Sequence, residues 1–334
     1  MSGNHVGALL CGIALCVVAV IARTIDRPDT MRIPQPPGFP PRVYQGTVDA
    51  NDTALASLGA VLFEDPILSV DSTISCETCH QPFAAFAHVD HAVSHGVEGR
   101  IGRRNVPSLQ NLAWQTSFMW DGSIVNLDMQ SLSPITGHDE MAENLDHLVR
   151  KLAAHPTYPG MFRRAFGTDS VSIPRLLRAL GRFVAGLVSA NSRYDRAMAG
   201  TDTLAENERH GLQLFRQQCA TCHSEPLFTN NDFASNGLMP DPVSPDSGRF
   251  TVTHENRDLF CFRVPTLRNI ARTYPYMHDG RFKKLRDVLA HYASPQMHDQ
   301  HADPRVQAIG LLSDIERKDI IAFLLTLTDD GRSR

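Results

Sequence analysis

The sequence lacks the features that mark several common classes of protein. The 334 residues contain no run of lysine or arginine and carry a formal net charge of −4, so nucleic-acid binding has no electrostatic support. After residue 21, no hydrophobic run approaches the length of a membrane span, and we expect this part of the chain to be soluble. Alternating apolar and polar segments are also scarce, which argues against a protein built from β-strands.

The N-terminus carries a hydrophobic run over residues 6–21. The run is short for a membrane span and fits the core of a signal peptide, so residues 1–22 are predicted to export the protein to the periplasm. Basic residues follow the run and none precedes it, so an uncleaved membrane anchor is the alternative. Cys11 and Cys16 lie inside the run and are interpreted as apolar residues.

Cysteine is sparse in the remainder, where four of five cysteines form two copies of one pattern. The pattern is C-x-x-C-H, typical of c-type haem attachment, in which two thiols bond to the haem and the adjacent histidine binds its iron. The two units are Cys76, Cys79 and His80, and Cys219, Cys222 and His223. A zinc site, a redox dithiol or a chance match are the alternatives, but zinc would need both cysteine pairs on one metal. Two copies in an exported chain favour two haems c, and Cys261 is left as a buried thiol.

The sequence also repeats internally. Residues 106–122 align without gaps on residues 264–280, an offset of 158 residues, and Leu127 and Leu285 continue the register. This predicts two mainly α, cytochrome-c-like domains, related by internal duplication and packed about a pseudo-twofold axis. The predicted divisions are a leader over 1–22, an extension over 23–50, an N-terminal domain over 51–197 and a C-terminal domain over 198–330.

Hydrophobic residues at three- and four-residue spacing predict the helices. One helix precedes each haem unit, and each contains a glycine that permits a close helix crossing. Others are predicted over residues 145–154 and 174–196. A last helix starts at a capping-box pattern at Ser313 and runs to about Thr328, with a core face formed by Ile315, Ile320, Phe323, Leu324 and Leu327. Residues 230–248, rich in Pro, Asp, Ser and Asn, predict a long surface loop.

The two copies of the repeat differ where chemistry is expected. Trp120 occupies the position of His278, and an indole between two redox centres could relay an electron; a packing aromatic is the alternative. In the next segment, the Gln130 amide and the Glu140 carboxylate suit peroxide chemistry, because a carboxylate can move a proton from one peroxide oxygen to the other. Glu140 could equally be a solvated surface charge.

The sequence resembles the bacterial di-haem cytochrome c peroxidase family, which includes the MauG-type enzymes. The resemblance runs from about residue 54 to 327 and rests on the two C-x-x-C-H units, G-R-R-N-V-P-S-L-Q-N over 102–111, F-M-W-D-G over 118–122 and Y-P-Y-M-H-D-G over 274–280. It implies that the N-terminal haem is the peroxide site and that the C-terminal haem stores or relays electrons.

The resemblance also implies residue roles. Glu140 becomes the acid–base group and Gln130 a second residue of the peroxide pocket, with Trp120 between the haems. A calcium ion between the domains is implied at Asn105, Thr273 and Pro275, which supply an amide oxygen and two backbone carbonyls, the hard ligands that calcium prefers.

The further iron ligands are open. Tyr292 matches the position of the MauG-type tyrosine at the C-terminal haem, where the peroxidases usually have methionine; the alternative ligands are Met277, Met297, His291 and His298. At the N-terminal haem, His95 is a candidate ligand, and exposure of all three histidines at positions 88, 91 and 95 is the alternative. An anionic oxygen ligand favours higher oxidation states of iron, whereas methionine raises the haem potential.

Three functions are compatible with these features. The first is a peroxidase that reduces hydrogen peroxide with electrons from a small periplasmic cytochrome or copper protein. The second is a MauG-like enzyme that uses peroxide to oxidise Trp or Tyr residues of a protein substrate, which Tyr292 favours. The third is a di-haem electron carrier without catalysis, against which Gln130, Glu140 and Trp120 argue. Contact with a membrane is expected only through an uncleaved N-terminus.

Overall fold

The computed structural model describes residues 33–46, 52–242, 245–294 and 301–329. The predicted leader, half of the predicted extension, Cys11 and Cys16 lie outside these residues. Within them the chain is mainly helical, as predicted, and short helices and turns are joined by long irregular segments. Across the described ranges, every helix is too short or too polar to cross a membrane.

Seven helices lie in the described part of the first half of the chain. They are α1 (Asp52–Glu64), α2 (Cys76–Cys79), α3 (Leu132–Thr136), α4 (Leu145–Ala154), α5 (Tyr158–Phe166), α6 (Ile173–Ala185) and α7 (Arg193–Met198). Short 3-10 turns lie at Pro66–Leu68, Pro82–Ala84, Val97–Gly99, Leu112–Trp114 and Leu127–Met129. Helices α1 and α6 cross closely at Gly59, where a β-carbon would lie 1.9 Å from the carbonyl oxygen of Ala179.

The second half contains five helices and a small sheet in its described part. The helices are α8 (Glu206–Gln218), α9 (Phe250–Thr253), α10 (Leu285–Tyr292), α11 (Pro304–Gln307) and α12 (Asp314–Leu325), with a 3-10 turn at Asn256–Asp258. Strands β1 (Phe233–Ala234) and β2 (Phe262–Arg263) pair antiparallel. Helices α8 and α12 cross at Gly211, where a β-carbon would lie 1.9 Å from the Asp319 carbonyl oxygen. The glycine-mediated crossings predicted before both haem units are therefore present.

Each half has its own hydrophobic core. In the first, leucines of α1 and α6 meet residues of α4 and α5, and Leu58, Leu62, Leu148 and Phe162 are fully buried. In the second, four aromatic rings pack together, one of them supplied by α7 of the first half: Tyr194, Phe215, Phe228 and Phe323. Phe215 and Phe323 have ring centroids 5.0 Å apart, and Tyr194 meets Phe228 edge-on at 5.1 Å. Aromatic pairs in such offset or edge-on arrangements add to the stabilisation from burial.

The long helix predicted over residues 174–196 is wrong in its second part. Helix α6 ends at Ala185, and the Gly186 amide bonds to the Phe183 carbonyl in a tightened last turn. A new helix, α7, begins only after Ser192, whose side chain forms a capping box with Asp195. Hydrophobic spacing continues across the break, but the Ser192 cap satisfies the amides of a separate helix.

Two further expectations are corrected. The capping box at Ser313 is present, but α12 ends at Leu325 rather than near Thr328. Ile315, predicted in its core face, is 69% exposed, and the buried residues of α12 are Ile320, Phe323 and Leu324. The predicted surface loop over residues 230–248 includes β1, so part of it is pinned to the sheet.

The two halves are joined by crossed backbone hydrogen bonds. The Asn105 amide donates to the His278 carbonyl at 2.7 Å, and the Arg263 amide donates to the Trp120 carbonyl at 2.8 Å. Arg263 is 158 residues after Asn105, and His278 is 158 residues after Trp120, so the contacts follow the offset of the sequence repeat. Internal duplication and the domain boundaries stay predictions from the sequence.

Candidate haem sites and the wall between them

The N-terminal C-x-x-C-H unit opens into a cavity of about 360 Å³. Ser75 caps α2 by accepting from the Thr78 amide at 3.3 Å, and this turn holds Cys76 and Cys79 on the cavity wall. The Nδ1 atom of His80 lies 2.8 Å from the Phe86 carbonyl oxygen. Burial lowers the pKa of His80 to about 4, so the imidazole is neutral, donates from Nδ1 and keeps Nε2 for another partner.

The C-terminal unit is built on the same plan around a cavity of about 220 Å³. Its thiols, Cys219 and Cys222, follow the end of α8. His223 Nδ1 lies 3.2 Å from the Phe228 carbonyl and 3.1 Å from the Pro265 carbonyl. Burial again lowers the histidine pKa to about 4. Both histidines are thus oriented by backbone carbonyls, as iron-binding histidines commonly are.

This set of donors fits haem c in each half. Each cavity presents two thiols and a neutral imidazole with one unoccupied nitrogen, the groups needed for two thioether bonds and one iron ligand. No group of three or more His, Cys, Asp or Glu side chains in the described ranges could hold a metal ion by itself, which gives the zinc alternative no support. The remaining thiol, Cys261, is 8% exposed and hence buried, as predicted.

The predicted peroxide-site residues all line the N-terminal cavity. Glu140 follows α3, and burial, then the neighbouring Asp139, raise the pKa of its carboxyl. Gln130 lines the same cavity, and its amide nitrogen lies 3.7 Å from the Met119 sulfur. A carboxyl that holds its proton more tightly than in water is suited to proton transfer. Glu140 is half-buried on the cavity wall rather than fully solvated, and its role in proton transfer stays a prediction.

The three neighbouring histidines have different surroundings. His95 is on the wall of the N-terminal cavity, and its carbonyl oxygen lies 3.7 Å from the Cys79 sulfur. His91 is exposed, and its ring packs edge-on against His95 at 4.5 Å. His88 is 8% exposed, so the expectation of three exposed histidines is wrong. The role of His95 as an iron ligand stays a prediction.

Two of the candidate ligands line the C-terminal cavity, namely Tyr292 and Met277. Burial raises the pKa of Tyr292 to about 12, against a hydrogen bond from Asn236 that lowers it. The Met277 sulfur lies 3.2 Å from the Asn236 side-chain nitrogen. His291 points its Nε2 to the Asn236 carbonyl at 2.9 Å and is not on the cavity wall. Met297 and His298 lie outside the described residues.

The residues predicted to hold calcium also come together. Asn105, Thr273 and Pro275 all line the C-terminal cavity, although 168 residues separate the first two along the chain. The Asn105 side-chain nitrogen donates to the Ala92 carbonyl at 3.0 Å, and the amide oxygen is the atom left for a cation. Calcium itself stays a prediction.

The two cavities share a wall. Seven residues line both: Asn105, Val106, Pro107, Ser108, Gln115, Trp120 and Arg263. Trp120 is 8% exposed, and its indole nitrogen donates to the Asn105 carbonyl at 2.8 Å, which fixes the ring in the wall. Sequence reasoning missed Arg263, although the repeat contained a signal for it: Arg263 aligns with Asn105, the residue that holds Trp120.

Two cavities with C-x-x-C-H units in a mainly helical fold define a c-type cytochrome with two haem sites. Comparison with known proteins supplies the family: the model for di-haem cytochrome c peroxidase matches residues 53–203, and the model for cytochrome c matches residues 209–328. The chain belongs to the di-haem cytochrome c peroxidase family, which makes it an oxidoreductase with two covalently bound haems c.

Its relatives include both MauG proteins and cytochrome c peroxidases. The chain is 36% identical over 278 residues to methylamine utilization protein MauG of Methylorubrum extorquens, an alignment that covers 81% of this chain and 77% of the relative. It is 32% identical over 288 residues to cytochrome c551 peroxidase of Nitrosomonas europaea, covering 85% and 82%. A solved structure of a MauG-like protein associated with microbial copper homeostasis has a TM-score of 0.78 and 29% identity, covering 89% of this chain and 95% of that one.

Proposed function

We propose that this protein reduces hydrogen peroxide to water with electrons from an external protein donor. The reaction consumes one peroxide, two electrons and two protons and yields two water molecules. The observation that carries the proposal is the wall shared by the two cavities, because Trp120 in that wall borders a pocket suited to proton transfer on one side and a second haem site on the other.

The N-terminal cavity is the peroxide site in this proposal. Glu140 takes a proton from one oxygen of peroxide and returns it to the other as the O–O bond breaks, a role that the raised pKa of its carboxyl favours. Gln130 donates a hydrogen bond that orients peroxide beside Glu140. When bound, each haem supplies an iron that gains and loses single electrons.

In this proposal, Trp120 and the C-terminal cavity bring electrons from the donor to the N-terminal site. The indole relays electrons across the wall, and its fixed hydrogen bond to Asn105 keeps the ring in one orientation. The donor is a small cytochrome or copper protein that docks on the C-terminal half. We further propose export to the periplasm, where haem c is attached, and a calcium ion at Asn105, Thr273 and Pro275 that ties the halves together.

One observation favours a second function. Of the four α10 residues on the wall of the C-terminal cavity, Leu285, Val288, Leu289 and Tyr292, Tyr292 is the one whose side chain could bind iron, and none is a methionine. A tyrosine ligand disfavours the reduced iron that a peroxidase draws on. In this alternative the protein uses peroxide to oxidise Trp or Tyr residues of a protein substrate.

A single optical experiment distinguishes the two. The fully oxidised protein is mixed with one equivalent of hydrogen peroxide in a stopped-flow instrument, with and without prior addition of one electron. Catalytic consumption of reduced cytochrome c supports the peroxidase. A change at both haems that lasts for seconds without prior reduction, and no consumption of reduced cytochrome c, supports the alternative. No response to peroxide under either condition would contradict both.

A further inference from the structure

Arg263 is a buried cation in the wall between the two cavities. The residue is 4% exposed and lines both cavities. The backbone amide donates to the Trp120 carbonyl at 2.8 Å, and Nε donates to the Met119 carbonyl at 3.3 Å. In the described part of the chain, the buried Nη1 atom has no hydrogen-bond partner.

The two other buried arginines of the described residues are each paired with a carboxylate. Arg182 contacts Asp52 at 2.5 Å, and Arg268 binds both oxygens of Asp195 at 2.8 Å. No described aspartate or glutamate pairs with Arg263, and its pKa is lowered to about 10 by burial alone, so it is charged at neutral pH. A buried and uncompensated charge is costly, whereas one paired with an anion is not. The fold therefore holds an arginine for an anion that is not one of these side chains.

The cofactor supplies such an anion. Haem carries two propionate groups, and the attachment sites bring one haem into each cavity that Arg263 lines. We propose that Arg263 forms a charge-assisted pair with a haem propionate at the wall between the haems. Arginine suits this role because its planar fork matches a carboxylate with two parallel hydrogen bonds. This inference depends on haem attachment and not on peroxide reduction.

The pair has an electrostatic consequence. Reduction adds negative charge to the haem, and the negative charge of a propionate disfavours it. When Arg263 pairs with the propionate and offsets its charge, reduction becomes more favourable. Arg263 therefore raises the midpoint potential of the haem that it binds. It also keeps the propionate ionised, so that the potential changes little between pH 5 and 7. Since Arg263 bonds to the Trp120 and Met119 carbonyls, the same pair positions the wall against the cofactor.

The test is a potentiometric titration of both haems in the holoprotein, followed optically at pH 5, 6 and 7. In Arg263→Gln we expect one haem to fall in potential by the equivalent of about a tenfold change in its reduction constant, 59 mV for one electron. That potential should also become dependent on pH, as the unpaired propionate takes up a proton. The haem that responds identifies the propionate, and peroxide turnover is not needed for either readout.

Two variants complete the design. Arg286→Gln removes an arginine whose side chain is 70% exposed on α10 and should leave both potentials unchanged. Arg263→Lys keeps the charge without the planar fork, so we expect a smaller fall in potential and a shift of the propionate bending band in resonance Raman spectra. If Arg263→Gln fails to load haem, the test is made with Arg263→Lys. Unchanged potentials, pH profiles and propionate band in the Arg263 variants that load both haems would overturn the proposal.

Discussion

Glu140 and Asp139 are adjacent carboxyls with opposite surroundings. Glu140 lines the N-terminal cavity, where burial raises its pKa above the ordinary 4.5, and the charge of Asp139 raises it further. Asp139 is exposed and pairs with His138. Burial, rather than residue type, therefore distinguishes the residue proposed for proton transfer from its neighbour.

We expect Glu140→Gln to lower kcat/KM for peroxide by about 10²-fold or more, the usual contribution of a general acid–base group. If Glu140 acts first as a carboxylate, activity rises with pH through its raised pKa. Asp139→Asn removes a charge that raises this pKa, so the acid limb of the pH profile moves to lower pH. The check is the profile of kcat/KM against pH for the three proteins. An acid limb that is unchanged in Glu140→Gln would refute the assignment.

The two tryptophans form a matched pair of residues. Trp120 is in the shared wall, whereas Trp114 is 2% exposed in the core, where its indole nitrogen donates to the Pro40 carbonyl at 2.8 Å. Trp120→Phe should slow electron exchange between the haems several-fold, because the ring proposed as a relay becomes harder to oxidise. Trp114→Phe should cost about 1 kcal/mol of stability through its lost hydrogen bond and leave the exchange rate unchanged. Flash photolysis of the half-reduced protein measures the rate, and equal rates in both variants would exclude the relay.

At the scale of secondary-structure elements, glycine determines how closely helices cross. At Gly211 a β-carbon would lie 1.9 Å from the Asp319 carbonyl oxygen and 3.0 Å from the Ile320 amide nitrogen, both backbone atoms of α12. Helix α8 ends where the C-terminal haem unit begins, so the α8–α12 crossing also positions Cys219.

Gly211→Ala should therefore destabilise the C-terminal half by about 1–3 kcal/mol or more, as overpacking does. Gly160→Ala, in α5, is the control. A β-carbon added at Gly160 would have the Arg164 side-chain nitrogen, 3.9 Å away, as its nearest neighbour. Alanine in that helix should stabilise by about 0.5–1 kcal/mol. Thermal unfolding followed by circular dichroism compares the two variants. A Gly211→Ala protein as stable as Gly160→Ala would show that the crossing relaxes freely.

At the scale of the whole molecule, an ion-pair network joins the halves. Arg104 contacts Asp121 of the first half and Asp246 of the second, each at 2.6 Å. Burial raises the pKa of Asp246, but the hydrogen bond and charge of Arg104 outweigh burial and hold the pKa below the ordinary 3.8. The stability that Asp246 contributes is then complete above pH 3.8 and is lost as pH falls through the lower, folded value.

Asp246→Asn should lower the stability at pH 7 by about 1–3 kcal/mol, the range for a hydrogen bond to a charged group and for its partner left unsatisfied. The difference from wild type should shrink as pH falls below 3.8, where wild type also loses the charge. Asp169→Asn, at an exposed pair with Arg163, should have no measurable effect. Thermal unfolding as a function of pH is the measurement. A difference that persists unchanged in acid would show that Asp246 acts through packing and not through its charge.

The sequence by itself determined the features that depend on neighbouring residues. A C-x-x-C-H unit spans five residues, so both haem sites follow from the chain without its fold. Helix α4 matches its predicted limits, and the Ser313 capping box formed as expected, because hydrophobic spacing and end caps act within a few residues. The family resemblance rested on motifs of the same short kind and was confirmed by the comparisons.

Only the tertiary structure decided what distant residues do together. It exposed Ile315, broke the helix after Ala185 and brought Arg263 beside Trp120, 143 residues earlier in the chain. The partial burial of Glu140, and the lack of a carboxylate beside Arg263 among the described residues, also follow from the tertiary structure. The physical reason is that desolvation and ion pairing depend on every group that surrounds a side chain in space, and packing, rather than sequence spacing, selects those groups.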